Sequence, residues 1–234
     1  MSTHSILYER ELAINDNIQI MIPSVRDVLD NEDDYYSMVG ALTAMPVDYM
    51  WQLQDAGIDF TEISEYGLFI IMFESLKRRD THLIFGDLDV NKFIFDDSSA
   101  SFYDVENDIR IERGIQMKIA TYLRKIHHLE KNLKKPGNKE AKEYMIERAR
   151  VKAMRNNRRS VDSQLESLII ALVNTEQFKY DFDSVLDLSI YQFNESVRQI
   201  IHKVDYEHRM AGIYAGTVDP KSFSQDDLNW LKHK

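Results

Sequence analysis

Cysteine is absent from the 234 residues of this chain. That excludes a disulfide scaffold, Cys-ligated zinc and thiol chemistry together, and it suits a reducing compartment. Glycine and proline are sparse, with eight and four residues, so neither a turn-rich β-sandwich nor a disordered chain is expected. The longest strongly apolar run, Gly67-Leu68-Phe69-Ile70-Ile71-Met72-Phe73, is too short to cross a bilayer. Met1 to Leu12 shows no positive segment leading into an apolar one, so no secretory signal is expected and the chain reads as soluble and intracellular. Catalytic signatures are missing as well: no His-Glu-x-x-His, Gly-x-Ser-x-Gly or Gly-x4-Gly-Lys pattern occurs.

What is present is an ordinary folded composition, 44% apolar and 29% charged, with a net charge of −10. That charge is polarised. Residues 1–108 hold 22 acidic and 6 basic side chains, whereas residues 131–159 hold 3 acidic and 11 basic. An acidic body with one basic arm suits docking on an acidic partner or on the body itself.

The first segment reads as two strands, Ser5–Leu12 and Ile18–Ile22, around an Asn15-Asp16-Asn17 turn, with Ser24 capping a short helix behind Pro23. Helical spacing follows at Tyr35, Met38, Val39 and Leu42, then in a helix begun by Pro46 and stopped by Gly57, then from Ser64 through Leu76. Between Leu83 and Ile111 the period changes. Leu83–Phe85, Lys92–Phe95, Ser101–Asp104 and Asp108–Ile111 predict a small antiparallel sheet that the N-terminal strands could join.

The rest reads as helical. One stripe runs from Ile115 to Leu129 and is broken by Pro136-Gly137. Lys139–Arg155 is a charged helix with Tyr144, Met145, Val151 and Met154 as modest anchors. Two dense stripes follow, Val161–Val173 and Val185–Val204, and a last short helix is expected to open at Ser224 and bury Leu228 and Trp230. The fold class is therefore α+β and predominantly α-helical: a mixed N-terminal half with a small antiparallel sheet (residues 1–111), and a helical half (112–234) carrying the basic arm at about 131–159.

Asp87-Leu88-Asp89-Val90-Asn91 matches the opening of a calcium loop. It then fails, with Lys92 where glycine is required and Ser98 where the closing glutamate belongs. An acidic turn between strands is the plainer reading. His127 and His128 point about 100° apart on a helix and cannot jointly grip one ion. No metal, cofactor or catalytic residue is assigned. The sharpest feature is the stripe of Arg148, Lys152, Arg155 and Arg159 at i, i+3 and i, i+4 spacing, which reads as a docking surface for protein. Nucleic acid is disfavoured by the interleaved Glu140, Glu143 and Glu147 and by the scarcity of stacking aromatics around Tyr144. Met50 and Trp51 lie in a Met- and aromatic-rich helical region that either packs as core or accepts apolar partner segments.

Four strings, Lys135-Pro136-Gly137-Asn138-Lys139, Leu172-Val173-Asn174-Thr175-Glu176, Tyr191-Gln192-Phe193-Asn194-Glu195-Ser196-Val197 and Ile213-Tyr214-Ala215-Gly216, carry a resemblance, with a weaker echo at Ile22-Pro23 and Asp30–Asp33. The chain resembles the tail assembly chaperones encoded near the tape-measure gene of tailed bacteriophages. The resemblance implies a non-enzymatic, helical protein of the infected host's cytoplasm. Such a protein holds the tape-measure or another tail protein during tube assembly and is commonly absent from the finished virion. A minor structural tail protein and a nucleic-acid-associated phage protein are the alternatives. No membrane partner is implied, and homo-oligomerisation is left open.

Overall fold

The structure, a computed structural model, describes residues 5–156 and 163–231. It is an α+β fold, mostly α, with two small antiparallel sheets in the N-terminal half and helices beyond.

Strands β1 (Glu11–Ala13) and β2 (Gln19–Met21) form a hairpin with Leu12 opposite Ile20. Its turn is closed by Asn15, whose side-chain oxygen accepts from the amides of Asn17 and Ile18 at 3.0 and 2.8 Å. Ile18, Ile20 and Ile22 alternate into the core, the period-two signature of a half-buried strand. Ser24 and Asp27 form a capping box that starts α1 (Val25–Asp30), and α2 (Glu32–Thr43) follows. Pro46 opens a 3-10 turn through Tyr49 that leads into α3 (Met50–Asp55). Gly57, at a φ of 74°, turns the chain out of that helix. Ser64 caps α4 (Glu65–Phe73) by accepting from the Gly67 amide at 3.0 Å.

Two expectations change here. Leu83–Phe85 is not a strand but part of a single helical turn, α5 (His82–Phe85). Ile84 and Phe85 are both buried. A strand would send these neighbours to opposite faces, while a turn with both amides bonded to the Thr81 carbonyl sends both inward. The sheet is also divided: β3 (Ile94–Asp96), β4 (Ser101–Asp104) and β5 (Ile109–Ile111) form a meander separate from β1 and β2. Helix α6 (Arg113–His127) packs on both β2 and β5, so the two sheets meet it rather than each other's edges. The Asp87–Asn91 run accordingly leads from a helical turn into a 3-10 turn (Val90–Lys92) and does not join two strands.

Helix α6 ends at His128, which adopts the left-handed conformation, and the Leu129 amide returns to the Arg124 carbonyl. An irregular connection leads to α7 (Lys139–Asn156). Then come α8 (Gln164–Val173) and, after a separate 3-10 turn at Ser184–Asp187, α9 (Ile190–Tyr214), opened by a Ser189–Gln192 capping box. The stripe from Val185 to Val204 is thus broken near Ser189, because the backbone there is bonded elsewhere. The Val25 amide donates to the Leu188 carbonyl and the Ile190 amide to the Pro23 carbonyl, both at 2.8 Å. This joint fastens the start of α9 to the N-terminal region. At Ser224 the capping hydrogen bonds with Asp227 form, but only a turn follows, and Trp230 is exposed. A cap satisfies donors; with no apolar stripe to bury behind it, the costly helix nucleus is not repaid.

The main core runs from Ile6 to Phe193 and takes no residue from 43–65 or 127–164, the stretches that hold α3 and α7. A second, smaller core gathers Ala44, Val47, Leu53, Phe60, Leu68 and Ile146, with Met45, Met50, Met72 and Met145 packed around it.

Candidate interaction surface

The basic helix is docked, and its two faces do different things. Lys142, Ile146 and Arg150, four residues apart, form the inward line against α3 and the loop after it. Ile146 is 8% exposed and belongs to the small core. Lys142 pairs with Asp59 and lies 5.6 Å from the Phe60 ring centre. Arg150 pairs with Asp55 at 2.5 Å, with its guanidinium 5.7 Å from the Trp51 ring. The Lys142 ammonium, followed by hydrogen bonds from Thr61, holds the Asp59 carboxyl down at about 2.

The outward face carries Arg148, Lys152 and Arg155, all exposed and without an ion pair to any described residue. Arg159 lies outside the described residues. Among these cations stand Tyr144, 66% exposed, and Val151. Of the anchors expected on this helix, Met145 packs against the small core, whereas Tyr144, Val151 and Met154 face solvent, and Ile146 is the buried one. Met50 and Trp51 are half-buried against the small core beneath α7. Lys142 and Arg150 were not assigned a role from sequence. Part of their signal was present in the four-residue steps that put Lys142, Ile146 and Arg150 on one helix face, but nothing local pointed to Asp55 and Asp59 as their partners.

A second concave region, of about 850 Å³, lies between the end of α6 and α9. Val197, Ile201 and Leu129 contribute apolar surface, and the rim carries both charge signs, including Arg198, Asp205 and Arg209. The C-terminal segment follows α9 at its far end: Gln199 and His202 bond the carbonyls of Trp230 and Asn229, and Arg209 bonds that of Asp227.

At the inner end of this region His127 is half-buried and shares a 2.9 Å hydrogen bond with the Tyr35 hydroxyl. Burial, then the neighbouring His128, pushes the His127 imidazole down to about 4. An unfolded histidine takes its proton near 6.5. The neutral ring therefore stabilises the fold fully above that value, and the contribution is lost as pH falls from about 6.5 towards 4. Between pH 7.5 and 5 this is worth about 2 kcal/mol. Urea unfolding of wild type and His127→Gln at the two pH values should show the wild type losing more stability on acidification by that amount. Parallel losses would defeat the assignment.

Residues 155–234 match the family model of the YomV second domain. That family is phage-derived, and the match points to a phage protein. It takes in α8, α9 and the C-terminal segment, together with the last two residues of α7. No curated protein matches the chain, and no solved structure does. Among the described residues, no helix is long and apolar enough to cross a membrane.

Proposed function

We propose that the chain is a non-enzymatic phage morphogenesis factor, similar in role to a tail assembly chaperone, that holds a helical tail protein such as the tape-measure protein during assembly. The observation that carries this reading is the division of labour on α7. Its inward cations are already neutralised by Asp55 and Asp59, so the helix is fixed in place. Its outward cations Arg148, Lys152 and Arg155 are presented on that fixed helix beside Tyr144 and Val151. A pre-positioned basic ridge with apolar side chains in it suits the acidic, amphipathic face of a partner helix. The phage-derived match at the C-terminal end supports the setting. An acidic N-terminal half repels a polyanion and favours protein over nucleic acid.

The test is co-expression with the tape-measure protein and affinity capture. Replacing Arg148, Lys152 and Arg155 together with Glu should weaken capture at least about tenfold, since opposed charges become like charges. The melting temperature should hold within about 2 °C, because the three side chains are exposed. Undiminished capture would sink the reading. Micromolar binding of DNA or RNA by the wild type, falling steeply with salt and abolished by the same variant, would replace it with the nucleic-acid reading.

A further inference from the structure

The connection between α6 and α7 passes over the small core and covers a cavity of about 580 Å³. Its floor is apolar: Met45, Pro46, Val47, Phe60 and Ile63. The volume lies within the range of pockets that take a side chain or small ligand, about 300–1,000 Å³. The covering segment is tied down at its ends. Lys131 pairs with Glu65 and Asn132 donates to Asp48, each at 2.8 Å. Asn138 accepts from the Ala141 amide at 2.8 Å, which fixes the start of α7. Between these ties, residues 133–137 make no hydrogen bond to the body among the described residues, and Leu133 is exposed.

The cations around the mouth are only partly paired. Lys142 and Lys131 are matched by Asp59 and Glu65. Lys134 and Lys135 are exposed and have no ion pair with a described residue, and Lys139 reaches only Glu143, at 4.0 Å. Three lysines thus stand over an apolar floor, and the other carboxylates there do not pair with them: Asp48 accepts from Asn132 and the Met45 amide, and Glu62 is exposed. The floor itself can adapt, because the core beneath it includes Met45, Met50, Met72 and Met145, and methionine side chains repack around varied apolar shapes.

We propose that this cavity is an anchor pocket for an acidic segment of a protein partner. One aromatic or long aliphatic side chain of that segment enters against Met45, Phe60 and Ile63, and carboxylates on either side of it meet Lys134, Lys135 and Lys139. Charge complementarity selects an acidic occupant over a basic one, and the apolar floor selects a peptide over a nucleic-acid backbone, which has no apolar group to insert. The pocket touches α7 only through Lys139 and Lys142, so it is separate from the outward ridge and its test does not depend on that ridge.

The experiment uses the full chain and a labelled octapeptide, Asp-Glu-Asp-Trp-Leu-Glu-Asp-Glu, followed by fluorescence anisotropy, with the Lys-for-acid counterpart as a control. The acidic peptide should bind and the basic one should not, and raising salt from about 50 to 500 mM should weaken binding roughly tenfold by screening. Lys134→Glu, Lys135→Glu and Lys139→Glu together should cost at least about tenfold. The Arg148, Lys152 and Arg155 charge-reversal variant should bind the peptide as wild type does. The Met45 methyl resonance, assigned with Met45→Leu, should shift on titration. Equal binding of the basic peptide, no binding of the acidic one at millimolar concentration, or an unmoved Met45 methyl would each overturn the proposal.

Discussion

Replacing Glu65 with Ala should destabilise the protein by about 3 kcal/mol, a fall of roughly 6–12 °C in melting temperature for a chain of this size. Glu65 sits at the first position of α4 and holds two cations: Arg124 of α6 at 2.7 Å and Lys131 at 2.8 Å. Burial raises its carboxyl, but the hydrogen bonds from Lys131 and Arg124 outweigh that and leave it below the usual range. Arg124 is buried, donates to the Thr43 carbonyl at 2.6 Å, and already has one guanidinium nitrogen without a hydrogen-bond partner. Removing Glu65 strands that charge among apolar neighbours, which is the costly way to break a buried pair. A Glu65→Leu, Arg124→Met double variant should cost clearly less than Glu65→Ala alone, because no unpaired charge is left behind. Thermal and urea unfolding of the set checks both statements. A double variant as unstable as the single, or more so, would show that the pair matters for something other than charge compensation.

Phe73→Ala should cost about 3–5 kcal/mol, the range for deleting a buried phenylalanine ring with partial collapse of the cavity. Phe73 is fully buried and is the hub of an aromatic cluster. Its ring centre lies 4.2 Å from that of Phe102 on β4, 5.3 Å from Phe69 one turn back on α4, and 6.1 Å from Phe93 before β3. It therefore joins a helix to the three-stranded sheet through one side chain. Ile71, two residues away on the same helix, is 45% exposed, and Ile71→Ala should cost less than about 1 kcal/mol. Equal losses from the two variants would mean that the aromatic cluster does not carry the α4–sheet contact.

The candidate surface was only partly legible in the sequence. Spacing alone placed Arg148, Lys152 and Arg155 on one stripe, because helical periodicity fixes which residues share a face. It could not say which face of that helix would be buried. Lys142–Ile146–Arg150 and Tyr144–Arg148–Val151 are both regular stripes of mixed character, and the choice between them was made by α3. That helix and the loop after it offer Asp55, Asp59 and the Trp51 ring to the first stripe and nothing to the second. The anchor pocket was hidden for a related reason. Its floor comes from residues 45–63 and its cover from residues 131–139, and no local pattern links segments so far apart.

By itself the sequence determined the class of the protein: a helix-rich α+β chain with an acidic N-terminal half, one basic helix and short strands between residues 92 and 111. These follow from periodicity, capping residues and charge counts, which act over one or two turns of chain. The capping boxes at Ser24 and Ser189 show the same locality, since each needs only a partner three residues on. Tertiary structure decided the rest. Ile84 and Phe85 became a helical turn because both had to be buried at once. The stripe from Val185 to Val204 was interrupted because the backbone at Leu188 and Ile190 bonds to Val25 and Pro23. The turn at Ser224 gained its cap but no helix. In each case the local preferences were close to balanced, and a contact with residues far away in the chain supplied, or failed to supply, the free energy that settled the outcome.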